Sequence, residues 1–97
     1  MRGIDYRPDT LIDLEHIALR TEASWGANQA KAYLADIGAA IGRAAENPFL
    51  GSDRSDIRSG YRKMRSGSHA IYYRVFADRI DVIRVLHQGM DVESRLR

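Results

Sequence analysis

The 97-residue chain of 11.0 kDa is 44 % hydrophobic and 29 % charged, the composition of one small globular domain spanning residues 1–97, with one modest core. It has no cysteine, which excludes a disulfide framework, a cysteine-ligated zinc site and thiol chemistry, and no apolar run long enough to cross a bilayer. The net charge of +2 hides an asymmetry: residues 1–53 carry −3 and residues 54–97 carry +5, with thirteen of the fifteen basic residues Arg. Arginine's planar fork suits carboxylates and phosphates, although GC-rich codon usage also enriches it.

Ile4 and Tyr6 alternate with Asp5 and Arg7, which predicts a first strand over Gly3–Arg7. Pro8 suits the first turn of a helix, and Leu11, Leu14, Ile17 and Ala18 follow at helical spacing to about Ser24. Asp9, Asp13 and Glu15 lie early in it, where the helix dipole favours acids. Trp25-Gly26 breaks the pattern. Ala30, Leu34, Ile37, Ile41 and Ala44 then form a second helical seam, ended by Asn47-Pro48. The short connection predicts an antiparallel helix hairpin, and Ala27, Ala35, Gly38, Ala39, Ala40 and Gly42 are expected to let its helices approach closely.

Residues Phe49 to Gly60 read as a loop with a short regular piece near Ile57. Three strands follow, Tyr61–Arg65, Ser68–Phe76 and Ile80–His87, separated by turns at Ser66-Gly67 and Ala77-Asp78-Arg79. The polar tail from Gln88 to Arg97 is a short helix or a frayed end. The order gives an α+β fold: an N-terminal strand and a two-helix antiparallel hairpin packed on an antiparallel sheet with a three-stranded C-terminal meander. Pairing Phe76 with Ile80 puts Ile71, Tyr73, Val75, Ile83 and Val85 under the helices. It leaves Tyr72, Phe76, Ile80, Val82 and Leu86 opposite, with Arg74 and Arg84. That second face needs a cover, from the tail or from another chain.

No metal-ligand spacing, nucleophile elbow or phosphate-binding glycine loop is present, so no metal, cofactor or catalytic residue is assigned. His16 is expected on the flank of the first helix. Metal-free RNA cleavage needs a base, an acid and cations around the phosphate. His69 and His87 would face one another across adjacent strands, with Arg62, Lys63, Arg65 and Arg84 near. The basic run of Arg54, Arg58, Arg62, Lys63 and Arg65 fits a nucleic acid, an acidic protein segment or a solvated face.

Ile57-Arg58-Ser59-Gly60-Tyr61-Arg62-Lys63, then Gly67-Ser68-His69-Ala70-Ile71-Tyr72-Tyr73, then Ile83 through His87 to Met90-Asp91 resemble, in this order and spacing, the ParE toxins of the RelE/ParE superfamily. Asp13 to Ile17, Trp25-Gly26, Ala30 to Leu34, Glu46-Asn47-Pro48 and Gly51 agree, so the resemblance covers nearly the whole chain. It implies a cytoplasmic, non-enzymatic toxin of a type II toxin–antitoxin module, of the kind tied to plasmid or chromosomal stability, that inhibits DNA gyrase. A ParD-like ribbon-helix-helix antitoxin would neutralise it in a hetero-oligomer, with DNA touched only through that complex and no membrane involved. On this reading Tyr72, Arg74, Phe76, Val82 and Arg84 are the expected antitoxin contacts. Arg58, Arg62, Arg65, His87, Met90 and Asp91 are the expected target contacts. The superfamily's ribosome-dependent messenger-RNA nucleases are the alternative. In them His69, His87, Arg62 and Arg84 would be the catalytic set, but Ala70 stands where those nucleases carry a basic residue.

Overall fold

The computed structural model describes residues 2–96; Met1 and Arg97, the last residue of the expected tail, lie outside the described residues. Strand β1 (Gly3–Tyr6) leads into helix α1 (Pro8–Trp25), and α2 (Ala27–Glu46) follows. Gly26 alone separates the helices, at φ 90°, a conformation that costs a side-chain-bearing residue dearly. A 3-10 turn (Pro48–Leu50) and a two-residue strand β2 (Ser52–Asp53) occupy the expected loop. The meander is β3 (Tyr61–Ser66), β4 (His69–Val75) and β5 (Arg79–His87), and a short helix α3 (Val92–Leu96) closes the described chain.

The five strands form one sheet in the order β1-β5-β4-β3-β2. The meander is antiparallel as expected, but β1 lies parallel to β5, with Gly3 opposite Arg79 and Tyr6 opposite Val82, so the sheet is mixed. A helical crossover of this kind naturally returns the chain parallel to its first strand. Past Tyr6 the outer edge of β5 has no strand beside it, and α1 takes over. The Thr10 hydroxyl donates to the Val82 carbonyl at 2.8 Å, and the Val85 N–H donates to the Asp13 carboxylate at 3.0 Å. Unpaired edge groups are thereby satisfied by two helix side chains.

The helix hairpin covers one sheet face. Ile17, Ile37, Ala40, Ile41, Ala44 and Ala45 pack on Ile71, Tyr73, Ile80, Val82 and Val85. On the other face Ile57, Tyr61, Ala70, Tyr72, Ile83 and Leu86 are covered by Leu96, with Met90 and Val92 beside it. The tail supplies the cover that this face needs. The expected parity holds in β4 but changes sign in β5. Tyr73 pairs with Val82 and Tyr72 with Arg84, so Ile83 is an extra residue, a β-bulge. Before it Ile80 and Val82 face the helices. Ile83 then turns to the opposite face, which reverses the expected places of these three side chains.

Of the small residues of α2 expected at the helix contact, Ala40 is buried in the core, whereas others differ from expectation. Ala35, Gly38 and Ala39 are exposed, and a Cβ added at Gly38 or Gly42 would meet nothing within 4 Å. They line the outer face of the hairpin rather than its seam. Gly38→Ala is therefore expected to raise stability by about 0.5–1 kcal/mol, through helix propensity alone, as a higher urea midpoint with unchanged m.

Candidate functional site

All three histidines line one cleft of about 200 Å³ between α1, the N-terminal end of β4 and the C-terminal end of β5. His16, Arg20 and Asp13 come from α1, His69 from β4, Arg84 and His87 from β5, and Arg95 from α3; Ile12, Ile17, Val85 and Met90 form the apolar wall. Sequence spacing hides this convergence, because His16 reaches the cleft only through the packing of α1 along β5.

His69 and His87 are paired across the strands, as expected from the meander, with ring centroids 5.4 Å apart and nearly perpendicular planes. Each ring's Nδ1 is already engaged. Gly89 N–H donates to His87 Nδ1 at 3.2 Å, so neutral His87 must carry its proton on Nε2. Tyr33, on α2, accepts the Ser68 N–H at 3.0 Å and is hydrogen-bonded to His69 Nδ1 at 2.6 Å, the His69 tautomer setting which of the two donates. Neutral His87 thus presents an Nε2–H donor. A histidine held this way offers no bare Nε2 to a metal, and among the described residues no three ligating side chains converge closely enough to hold one.

Asp13 is the cleft's carboxylate, and its two oxygens accept from Arg84 Nε and Nη2 at 2.7 and 2.8 Å. This bidentate bond holds the Arg84 guanidinium above its usual pKa. Asp13 is buried, so its place early in α1 reflects this pairing more than the helix dipole. Burial pushes the His69 imidazole below its ordinary value, and the neighbouring positive charges of His87 and Arg20 add to the shift, against the pull of Asp13. Between the lowered folded value and about 6.5, the unfolded chain therefore binds more protons than the folded one. The stability this group confers is complete above about pH 6.5 and is lost as pH falls through that window. The urea midpoint should drop between pH 7.5 and pH 5.5, and His69→Gln should flatten the drop.

The other expected residues scatter. Arg62 donates to the Gly51 carbonyl at 3.1 Å and lies over the Phe49 ring, 5.0 Å from its centroid, so it does not join the histidines. Arg65 is bonded to Gln88 and shares a second cleft, of about 340 Å³ on the sheet face away from the helices, with Arg54, Lys63 and His87. Arg58 is exposed beside a third cleft, with Arg7, Arg84 and Arg95. Met90 is half-buried and Asp91 exposed. Tyr72 is 1 % exposed and Val82 0 %, on opposite faces of the sheet because of the bulge, and neither offers surface to a partner. Arg74 and Phe76 remain accessible, with the Phe76 ring held by Arg74 and Arg79 at 5.2 and 4.1 Å. The sequence reading overlooked an exposed apolar group on the hairpin: Leu11, Ile12 and Leu19 share the outer stripe of α1, and Trp25 ends it. Their signal was the excess of apolar residues over what one buried stripe of α1 requires.

A family model described as "ParE toxin of type II toxin-antitoxin system, parDE" matches residues 4–92. The chain belongs to the ParE toxin family. Among its ParE relatives, "Toxin ParE1" of Mycobacterium tuberculosis is 48 % identical over 90 residues, 92 % of each chain. "Toxin ParE1" of Caulobacter vibrioides is 42 % identical over 84 residues, covering 87 % of this chain and 86 % of that one. "Toxin ParE" of Escherichia coli is 33 % identical over 87 residues, covering 87 % and 82 %. A chain of the solved "Chromosomal ParDE TA system from P. aeruginosa" superposes with a TM-score of 0.75 over 90 % of this chain and 96 % of that one; at 18 % identity this likeness is one of fold. The protein is thus a ParE toxin of a type II toxin–antitoxin module, with the α+β fold read from its sequence.

Proposed function

We propose that this ParE toxin acts in the cytoplasm by binding DNA gyrase and stalling it, breaking no covalent bond itself, and that an antitoxin of the ParD kind silences it. The match to the ParE family over residues 4–92 carries the reading. Two features of the cleft support the non-enzymatic part. The Gly89 N–H on His87 Nδ1 leaves neutral His87 a donor rather than a base, and Arg62 is spent on Gly51 and Phe49, away from the histidines. Purified chain should inhibit supercoiling by purified gyrase and leave ribosome-bound message intact. Cut message with undisturbed supercoiling would refute the proposal in favour of the nuclease alternative.

For the antitoxin, the accessible surface moves the expected contact from Tyr72 and Val82 to the hairpin. An apolar segment laid along Leu11, Ile12, Leu19 and Trp25 would cover the exposed stripe, and the bare α2 face at Gly38 and Gly42 admits a close backbone. Arg74, Phe76 and Arg84 extend the contact. Arg58, Arg62, Arg65, His87, Met90 and Asp91 remain the proposed gyrase side. Leu19→Asp, at a residue 60 % exposed, should leave folding intact and weaken antitoxin binding by about tenfold or more. Unchanged affinity would move the interface elsewhere.

A further inference from the structure

From the cleft that gathers the three histidines we infer a binding site for a dianionic tetrahedral oxyanion, the phosphate of a monoester or free phosphate. The inference is independent of the gyrase reading. Three guanidinium groups, of Arg20, Arg84 and Arg95, face one carboxylate, Asp13, leaving an excess of two positive charges. Asp13 is committed to Arg84 through both oxygens, while Arg20 and Arg95 have no ion-pair partner among the described residues. The Gly89 N–H on His87 Nδ1 leaves neutral His87 an Nε2–H donor, and the His69 ring lines the same cleft. A phosphate monoester carries about −1.5 to −2 at pH 7, which matches that excess. A carboxylate would neutralise only half of it.

Geometry agrees with charge. The donors come from α1, β4, β5 and α3, so they approach from several directions, as the oxygens of a tetrahedral anion require. A planar carboxylate is satisfied by a single guanidinium fork, the arrangement already seen between Asp13 and Arg84. At about 200 Å³ the cleft has the volume of roughly six or seven waters, enough for a phosphate and a short ester arm. The arm would lie on the apolar wall at Ile12 and Met90.

The test is a titration of the full chain with inorganic phosphate at fixed ionic strength and pH 7.5. The imidazole nitrogen resonances of His69 and His87 are the readout. A saturable shift with a midpoint on the order of millimolar is expected, and Arg20→Gln should weaken it by about tenfold. Arg43→Gln, at an exposed residue near the end of α2, should titrate like the parent. Arg95→Gln serves as the second variant, and circular dichroism checks that each is folded. No saturation, an equal response to chloride, tighter binding of acetate than of phosphate, or parent-like binding by both Arg variants would overturn the site. Methyl phosphate and a nucleoside 5′-monophosphate separate the sources. Binding no tighter than that of inorganic phosphate would support a site for the oxyanion alone, and tighter binding of either ester would support use of the apolar wall.

Discussion

Replacing Asp13 by Ala should destabilise the fold by about 3 kcal/mol, the lower end of the range for a broken buried ion pair, because the Arg84 side chain retains 18 % exposure and some access to water. Three bonds end on this one carboxylate: two from the Arg84 guanidinium and one from the Val85 N–H. Removing it leaves a guanidinium and a backbone donor in a site that excludes most solvent. In a domain of this size the loss corresponds to a fall in Tm of roughly 12–24 °C. Asp13→Asn keeps one acceptor for the Val85 N–H and should cost less. Pairing Asp13→Leu with Arg84→Met should recover much of the loss, since an apolar pair leaves neither charge stranded. A loss below about 1 kcal/mol in Asp13→Ala, measured by urea unfolding, would show that α1 does not hold the edge of β5 in this way.

Gly51→Ala is expected to cost about 1–3 kcal/mol, the scale of overpacking a closed site. An added Cβ would lie 2.8 Å from the Lys63 carbonyl oxygen and 2.9 Å from Tyr73 Cζ. Backbone freedom is not the reason, since Gly51 has φ −72°. The reason is the Tyr73 hydroxyl, which accepts the Gly51 N–H at 3.1 Å and donates to the Pro48 carbonyl at 2.5 Å. Burial raises the pKa of this phenol, in keeping with a neutral group bonded on both sides. The same substitution at Gly38 has the opposite expected sign, so the pair separates packing from helix propensity. A near-neutral Gly51→Ala would mean that the Tyr73 ring moves aside at little cost, and Tyr73→Phe would then cost little as well.

The elements were legible because each carries its own periodicity: the seam from Ala30 to Ala44, Pro8 and Asn47-Pro48 at helix ends, and Gly67 in the β3–β4 turn. His69 does pair with His87, but not by an unbroken register: at the turn Val75, not the expected Phe76, pairs with Ile80, and the extra residue Ile83 brings the strand ends back to the expected pairing. Two features were not legible. A β-bulge at Ile83 leaves no local mark in a run of β-branched residues except the doublet Val82-Ile83, and it reversed the faces of Ile80, Val82 and Ile83. The parallel placement of β1, with α1 finishing the edge through Thr10 and Asp13, depends on contacts more than 70 residues apart, which propensity does not encode. The cleft followed from that placement, which is why His16 and Arg20 were not grouped with the strand histidines.

Strand β1 leaves the ribosome first and waits longest. Ile4 pairs with Ile80, so 76 residues separate the partners, and at about 5–20 residues per second the delay is roughly 4–15 s. During that interval the nascent helices have no finished sheet to rest on. A message cut short upstream of β5 would yield a fragment lacking the strand that joins β1 to β4, and with it part of the platform that the helices need. The order of the strands thereby ties completion of the fold to the synthesis of β5.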